Sequence, residues 1–470
     1  MRRSVVLIVN DTMRRDRVGA YGGPARTPAF DHFARTNLLF DRAVTQAPWT
    51  KPSIATLFTG LYPSQHGVVT HPAIPEPGET ERREQLIETD VLVDGLTTLA
   101  EVVQGAGYET AAFVANPWLD PAFGFAQGFE HWDDSFATFD TPGDVVSRAA
   151  LDWLEGREGG RPYLLYLHYI DSHGPYPRLP VKQLRRLETR AGGETDVLPP
   201  GGRSLSPGAE ASLRAAVRLP DGRPAASAGI RPTVRVLRYV YDRGVEQFDR
   251  AFGVFLEGFA ALPGAGETAI LVTSDHGEAL FERGWGGHGH GLFDDEVGVP
   301  LAARLPGVEA DGPVGCPVGL VDVMATLCVY LGLECPEHDF GVSWIAPGTG
   351  GDPRPTRYLV SEAVMGKPDH RAIRNREYKL LWEPDGRRGA ESRPAGGGWA
   401  LFATTQDPAE RSDLLEASMP GSRARAAFRT LSAATPGSVP PFDTPATVRV
   451  PMEAQTRERL EALGYLGEEP

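Results

Sequence analysis

Three apolar segments of the sequence are followed directly by acidic residues or histidine, the residue types that bind metals and transfer protons. They are Val5–Val9, followed by Asn10 and Asp11; Tyr163–Tyr169, followed by Asp171 and His173; and Thr268–Thr273, followed by Asp275 and His276. A single Asp after a strand is usually a turn or helix-capping residue. Three such ends in one chain instead indicate a shared site, because parallel strands bring their carboxyl ends to the same edge of a sheet.

The side chains at the first and third of these ends are suited to metal binding. Asp11, Asp275 and His276 offer hard oxygen and imidazole ligands for one or two divalent ions, which could be Zn²⁺, Mn²⁺, Mg²⁺ or Ca²⁺. Asn10 is a weaker candidate ligand beside them. We therefore expect a divalent metal cofactor.

Three histidines could complete such a site. His173 follows one strand end, and His288 and His290 lie in the glycine-rich segment Gly287–Gly291. They could supply positive charge, a second metal site or a proton for a leaving group. The alternative for Gly287–Gly291 is a flexible surface loop without a chemical role.

Thr50 is the candidate nucleophile. Pro52 and Ser53 are typical of a helix start and Gly60 of a helix end, so Thr50 is expected just ahead of a helix N-terminus. There the exposed N–H groups and the helix dipole would stabilise an alkoxide and the anionic group that it attacks. On local sequence alone, a helix-capping threonine is the alternative.

The elements that position these residues are predicted to form an α/β fold. Amphipathic stretches such as Leu96–Ala106 and Val234–Phe259 alternate with the strands, which indicates a mostly parallel sheet covered by helices. Residues 178–231 are rich in Pro, Gly and Arg and are interpreted as a mobile insertion or partly disordered loop. We predict a catalytic domain over residues 1–365 and a smaller α+β subdomain over 366–470, with strands and a helix in 371–381 and 399–415 and a flexible stretch near 416–448.

Charge and composition restrict the partners. The net charge of −15 and a pI near 5.3 argue against a nucleic-acid or anionic-membrane surface. No apolar stretch approaches the length of a membrane-spanning helix. The three cysteines, Cys316, Cys328 and Cys335, form no metal-binding pair. We expect a soluble, cytoplasmic protein of undetermined oligomeric state that acts on a small anionic ester.

Short motifs in a fixed order give the chain a family resemblance. The central ones are Thr50-Lys51-Pro52-Ser53 and Ser274-Asp275-His276-Gly277-Glu278. The others are Asn10–Asp16, Gly19–Gly22, Thr27–Asp31, Leu57–Pro63, His66-Gly67, Gly107–Phe113, Gly287–Phe293, Val299–Leu301, Tyr378–Leu380, Asp407–Arg411 and Leu463–Leu466. In this order they resemble the sulfatase-like branch of the alkaline phosphatase superfamily over nearly the whole chain.

The resemblance implies a fold and a set of roles. The fold is an alkaline phosphatase-like sandwich, with a large, mostly parallel central sheet flanked by helices and a smaller C-terminal sheet. By the resemblance, Asp11, Thr50, Asp275 and His276 are expected to be metal ligands, and Thr50 is expected to be the nucleophile. His173 and His288 are expected to be catalytic and substrate-binding residues, and Lys51 to bind substrate. Asp171 and His290 are weaker candidates for ligands of a second metal ion.

The chain departs from true sulfatases at the nucleophile. In those enzymes a Cys or Ser is oxidised to formylglycine, and an Arg two residues after the proline holds it; here the two positions are Thr50 and Ile54. Oxidation of threonine would give a ketone rather than the required aldehyde. We therefore expect hydrolysis of phosphate mono- or diesters or phosphonate esters through a covalent Thr50 intermediate, with sulfate esters as the other ester class. The alternatives are a phospho-group transferase of the same family and a non-catalytic anion- or metal-binding relative.

Overall fold

The computed structural model describes most of the chain. The described residues are 3–69, 88–138, 140–158, 160–176, 179–191, 213, 216–219, 223–229, 233–309, 313–336, 341–345, 357–363, 370–383, 398–415, 422–434, 449–452 and 456. The predicted motif Leu463–Leu466 lies outside them.

The centre of the protein is a seven-stranded sheet in the order β2-β11-β8-β1-β7-β5-β6. Its strands are β1 (Val5–Asn10), β2 (Leu38–Leu39), β5 (Glu109–Val114), β6 (His131–Asp133), β7 (Tyr163–Tyr169), β8 (Ala269–Thr273) and β11 (Leu301–Arg304). Strands β8, β1, β7, β5 and β6 are parallel, and β11 runs antiparallel to β8 and β2. Every residue of β1, β7 and β8 is buried, as expected for a parallel sheet covered on both faces.

The helices that surround the sheet have clear packing partners. They are α1 (Pro28–Thr36), α2 (Thr50–Thr59), α3 (Pro63–His66), α4 (Leu99–Gly105), α5 (Gly143–Gly156), α6 (Val181–Ala191), α7 (Val234–Ala260), α8 (Asp294–Val297), α9 (Asp322–Leu331) and α10 (Ser422–Ala434). Helix α7 packs on α1 and α5, whereas α2 packs on α3, α4 and α9. Each described helix is too short or too polar to cross a bilayer.

A second, antiparallel sheet consists of β13 (Leu359–Ala363), β14 (His370–Arg374), β15 (Lys379–Glu383) and β16 (Gly398–Phe402). It is joined to the first part of the chain by hydrogen bonds from Ser361 Oγ to Thr45 O (2.7 Å) and from Glu362 N to Gln46 O (2.8 Å).

Short strand pairs complete the described elements: β3 (Ala43–Val44) with β12 (Val318–Gly319), β4 (Glu88–Asp90) with β17 (Arg449–Pro451), and β9 (Ala279–Leu280) with β10 (Gly286–Gly287).

The predicted fold class is confirmed, with differences in detail. The small sheet begins with β13, ahead of the predicted boundary at residue 365. Helix α6 lies inside 178–231 and α10 inside 416–448, where the sequence predicted irregular chain. Among the described residues of the first segment, Leu184 and Val217 join the main core. Residues 371–381 and 399–415 contain parts of the predicted strands, in β14, β15 and β16, together with turns, but not the predicted helix.

Candidate metal and nucleophile site

The ends of strands β1 and β8 lie side by side at the carboxyl edge of the central sheet, as predicted. Strands β1 and β8 are parallel neighbours in which Val9 is paired with Thr273, so the residues after them emerge side by side. Ser274 ties the two ends together, since its Oγ donates to Asn10 O (2.6 Å) and accepts from Met13 N (2.8 Å).

The turn after β1 is strained. Thr12 has a φ of 57°, in the left-handed region that a β-branched residue rarely adopts, at a typical cost of about 1–3 kcal/mol. Two contacts hold this conformation: Thr12 N donates to Asp275 Oδ1 (3.2 Å), and the Tyr241 hydroxyl donates to Thr12 O (2.6 Å). Thr12, the residue after Asp11, is thereby hydrogen-bonded to Asp275, so the strained turn keeps the two aspartates close together.

Each of the two buried carboxylates has one oxygen held by protein donors and one that is free. Asp11 Oδ2 accepts from Asn116 Nδ2 and from His168 Nε2 (3.3 Å). Asp275 Oδ1 accepts from the amides of Thr12 and His276. The other oxygens, Asp11 Oδ1 and Asp275 Oδ2, have no hydrogen-bond partner among the described residues. Buried oxygens without donors require an explanation, and a bound cation supplies one.

His276 adds a nitrogen to these two oxygens. Its Nδ1 donates to Gly277 O (2.8 Å), which leaves Nε2 with a free lone pair. Nε2 lies 3.6 Å from Asp11 Oδ1 and 3.5 Å from Asp275 Oδ2. One ligand atom from each of Asp11, Asp275 and His276 lies within 4.8 Å of the others. The donor set fits a divalent ion, as the sequence predicted.

The charges of this cluster are unbalanced within the described residues. Burial and the neighbouring Asp11 raise the pKa of Asp275 well above its ordinary value. Burial also opposes ionisation of Asp11, but His173, His168 and His276 together lower its pKa. Burial, together with His288, lowers the pKa of His276 to about 3, so its imidazole is neutral. Two neighbouring carboxyl groups and a neutral imidazole form an electrostatic environment that a divalent cation would relieve.

Thr50 is at the start of α2 and its hydroxyl points to the cluster. Its Oγ1 lies 3.3 Å from His276 Nε2 and 3.4 Å from Asn116 Nδ2, and the residue is only 2% exposed. The helix begins at Thr50 itself, slightly earlier than the predicted start at Pro52. Buried Ile54, Leu57 and Phe58 fix α2 in the core, so the threonine is presented by a rigid element.

His288 and His173 stand beside the cluster. The His288 ring centroid lies 4.5 Å from that of His276 and 5.3 Å from that of His173. His288 Nδ1 contacts Glu278 Oε2 (2.7 Å), and Tyr176 holds the other oxygen of Glu278 (2.8 Å). Burial opposes protonation of His288, but Glu278, Asp11 and Asp275 raise its pKa to about 9. It is therefore a cation at neutral pH.

The remaining predicted site residues have other neighbours. The ammonium of Lys51 binds Thr89 Oγ1 (2.6 Å) and Asp90 O (2.5 Å). Asp171 accepts from Gly143 N at the start of α5 (3.0 Å), and burial raises its pKa to about 7. His290 donates through its backbone N–H to Glu296 (2.9 Å). Asn10 Nδ2 donates to Ser172 Oγ (2.7 Å), and its Oδ1 is buried without a hydrogen-bond partner among the described residues.

The structure adds three residues that sequence reasoning did not select. Asn116 reaches both Asp11 and Thr50, and it lies two residues beyond the end of β5, so the strand-end rule could have found it. His168 lies within β7, where its apolar neighbours concealed it. Glu278 was part of a recognised motif but was given no role, and it proves to be the partner of His288.

The fold and the site together define an α/β protein with a buried acidic, histidine-containing centre. The sulfatase family model matches residues 3–333, and the chain belongs to the sulfatase family of hydrolases. Both the resemblance and the fold class predicted from sequence are thereby confirmed.

The names of individual relatives refer to more than one type of ester. The chain is 23% identical over 68% of its length to an endo-4-O-sulfatase of Bacteroides thetaiotaomicron, of which the match covers 65%. It is 24% identical to PehA, a multifunctional alkaline phosphatase superfamily protein of Trinickia caryophylli, over 75% of this chain and 78% of PehA. The crystal structure of the phosphonate monoester hydrolase of Agrobacterium radiobacter shares the fold, with a TM-score of 0.67, 20% identity and coverage of 96% and 100%.

Proposed function

We propose that this chain is a metal-dependent hydrolase of phosphate mono- or diesters or of phosphonate esters, and that it works through a covalent Thr50 intermediate. The observation that supports this most strongly is the position of Thr50 Oγ1, which is 3.3 Å from His276 Nε2, the nitrogen that faces Asp11 and Asp275. A hydroxyl at a helix start beside a candidate cation site has the surroundings of an activated nucleophile.

The identity of residues 50 and 54 favours phosphorus over sulfur. Threonine cannot give formylglycine, the group that performs sulfatase chemistry. At the position where sulfatases place an arginine, Ile54 is fully buried in the core. Sulfate esters remain the other substrate class, because several relatives are named as sulfatases.

The residues present support an in-line displacement. A divalent ion held by Asp11, Asp275 and His276 would lower the pKa of the Thr50 hydroxyl and neutralise phosphoryl oxygens. Thr50 gives its proton to a solvent water molecule, its Oγ bonds to phosphorus, and the ester P–O bond breaks. His288 and His173 face the non-bridging oxygens, and one of them protonates the leaving oxygen. Water then attacks phosphorus and gives a proton to the same histidine, and the P–Oγ bond breaks, after which Thr50 Oγ takes up a proton from solvent.

The test is turnover by metal-reconstituted protein of p-nitrophenyl phosphate, bis-p-nitrophenyl phosphate, a phenylphosphonate ester and p-nitrophenyl sulfate. Thr50→Val keeps the shape of the side chain and removes the hydroxyl, so we expect a loss of roughly 10⁴- to 10⁶-fold in kcat. The matched control is Thr59→Val, the same change at the other end of α2, where the described hydrogen bonds of the hydroxyl are to Ala55 O and from Leu61 N.

The outcomes separate the alternatives. Phosphoester turnover that is lost in Thr50→Val, with a phosphoryl group trapped on Thr50 by acid quench and mass spectrometry, would support the proposal. Dominant sulfate turnover would overturn the choice of phosphorus. Transfer of the phosphoryl group to an added alcohol in preference to water would identify a transferase. Bound metal without turnover of any ester would favour a binding protein.

A further inference from the structure

Tyr166 and His168 form a hydrogen-bonded pair that ends on Asp11. Two residues apart on β7, they face the same side of the sheet, and both are completely buried. The Tyr166 hydroxyl lies 2.7 Å from His168 Nδ1, and His168 Nε2 lies 3.3 Å from Asp11 Oδ2. Nothing in the proposed chemistry uses either residue.

The direction of the two hydrogen bonds follows from the donors and acceptors available. An ionised Asp11 can only accept, so His168 Nε2 must carry the hydrogen in that contact. In the tautomer with its hydrogen on Nε2, His168 accepts at Nδ1 from the Tyr166 hydroxyl. Burial, followed by Asp275 and Asp11, raises the pKa of Tyr166, which keeps the hydroxyl protonated. Tyr166 therefore fixes the tautomer of His168.

We infer that Tyr166 and His168 are positioning residues that hold Asp11 Oδ2 and thereby present Asp11 Oδ1 to a divalent ion. The inference rests on the proposed function only for the presence of that ion. Asn116 also donates to Oδ2, but it lies within 3.4 Å of Thr50 as well. The Tyr166–His168 pair has no described hydrogen bond to Thr50, so it acts on the site through Asp11.

A purely structural role is the competing explanation, and it is a substantial one. The Tyr166 ring packs against Phe58 of α2 in an edge-to-face contact with centroids 4.9 Å apart, and also against Phe129. Tyr166→Phe retains this packing and removes only the hydroxyl. His168→Gln retains a side-chain N–H donor for Asp11 but removes the ring nitrogen that Tyr166 orients.

The experiment measures Mn²⁺ affinity by calorimetry on metal-stripped full-length protein. We expect His168→Leu to raise the Kd about 10- to 100-fold, the range for loss of an outer partner of a metal ligand, and Tyr166→Phe to raise it by about tenfold or less. In the His168→Gln background, Tyr166→Phe should add no further change, because the hydroxyl acts only through the imidazole.

The control is Tyr169→Phe, the same change on the same strand, where the hydroxyl bonds to Ser147 (2.9 Å). Its Kd should equal that of the wild type. The inference is overturned if Tyr166→Phe lowers the melting temperature of metal-free protein but leaves the Kd unchanged, or if it weakens binding equally in both backgrounds. Absence of Mn²⁺ binding by the wild type would also overturn it. If the protein bound Mn²⁺ and this binding depended on Tyr166, but the protein did not hydrolyse phosphoesters, only the proposed function would be contradicted.

Discussion

The protein contains two buried clusters of charged residues that are organised in opposite ways. The first is the strand-end cluster of Asp11, Asp275 and His276. The second, here called the Asp294 network, consists of Asp294, Glu410, Arg15, Arg374 and Lys379 and joins α8 to the second sheet. In the network, Lys379 Nζ lies 3.0 Å from Asp294 Oδ1 and 2.7 Å from Glu410 Oε1, and Arg15 lies 3.1 Å from Asp294 Oδ2. Arg374 forms a further ion pair with Asp294.

The pKa directions express this difference. Burial opposes ionisation of Asp294, but Arg374, Lys379 and Arg15 lower its pKa well below the ordinary value. Burial and Asp11 raise the pKa of Asp275. The network thus supplies its own cations, whereas among the described residues the strand-end cluster has two free carboxylate oxygens and no lysine or arginine ion pair. On the proposed function, the strand-end cluster binds a metal ion, whereas the Asp294 network is expected to contribute to stability.

The largest expected effect comes from Asp275→Asn. This change removes one charged ligand, so we expect turnover to fall on the order of 10⁴-fold and Mn²⁺ affinity to fall more than about 100-fold. The metal-free protein should unfold at the same or a higher urea concentration, because the repulsion between Asp275 and Asp11 is relieved. Urea titration and calorimetry check both. A strongly destabilised metal-free protein would show that Asp275 has a structural role like that of Asp294.

Much of the strand-end cluster could be predicted from sequence because local rules place it. An apolar run that ends in Asp or His marks a strand and its carboxyl end, and parallel topology brings such ends together. The same logic placed Thr50 at a helix start. These predictions needed the order of the elements but no knowledge of which side chains touch across the fold.

The other contacts could not be predicted because they depend on tertiary packing. Lys51 is next to Thr50 in sequence, yet its ammonium is directed to Thr89 and Asp90, which come from β4. Two partners of Asp294, Arg374 and Lys379, are 80 and 85 residues away in the second sheet, and Arg15 is 279 residues away. The sequence does not predict helix α6, because its short amphipathic stretch lies between charged and proline-rich segments. In the structure Leu184 of this helix is buried in the core.

Asp294→Asn should lower stability and leave metal affinity unchanged, the opposite of what is expected for Asp275→Asn. It leaves the cations of Arg374 and Lys379 buried without their shared partner, so we expect a loss of about 3–5 kcal/mol in the free energy of unfolding. Mn²⁺ affinity should stay within the error of the wild-type value. Urea unfolding of the metal-free proteins and calorimetry of the folded variant measure the two quantities. A large loss of affinity in this variant would contradict the separation of the two clusters.

The same network predicts a pH dependence. Because the folded-state pKa of Asp294 is below its ordinary value of 3.8, its contribution to stability is complete above that pH. It is lost as the pH falls through the folded-state value. The stability difference between wild type and Asp294→Asn should therefore be constant from about pH 5 to pH 7 and shrink in stronger acid. A difference that instead grew on acidification would reverse the assigned direction of the shift.

The smallest expected effect is the stabilisation that added metal confers, and it distinguishes the clusters most directly. Mn²⁺ at a free concentration of 100 times its Kd should raise the free energy of unfolding by about 2.7 kcal/mol, since only the folded cluster binds it. Asp294→Asn should show the same metal-induced increase in the free energy of unfolding, although its metal-free stability is lower. Asp275→Asn should lose this increase at the same Mn²⁺ concentration. Urea titrations with Mn²⁺ and with chelator measure it. If wild type and Asp275→Asn gained equally, the ion would bind elsewhere, and the two free carboxylate oxygens would need another explanation.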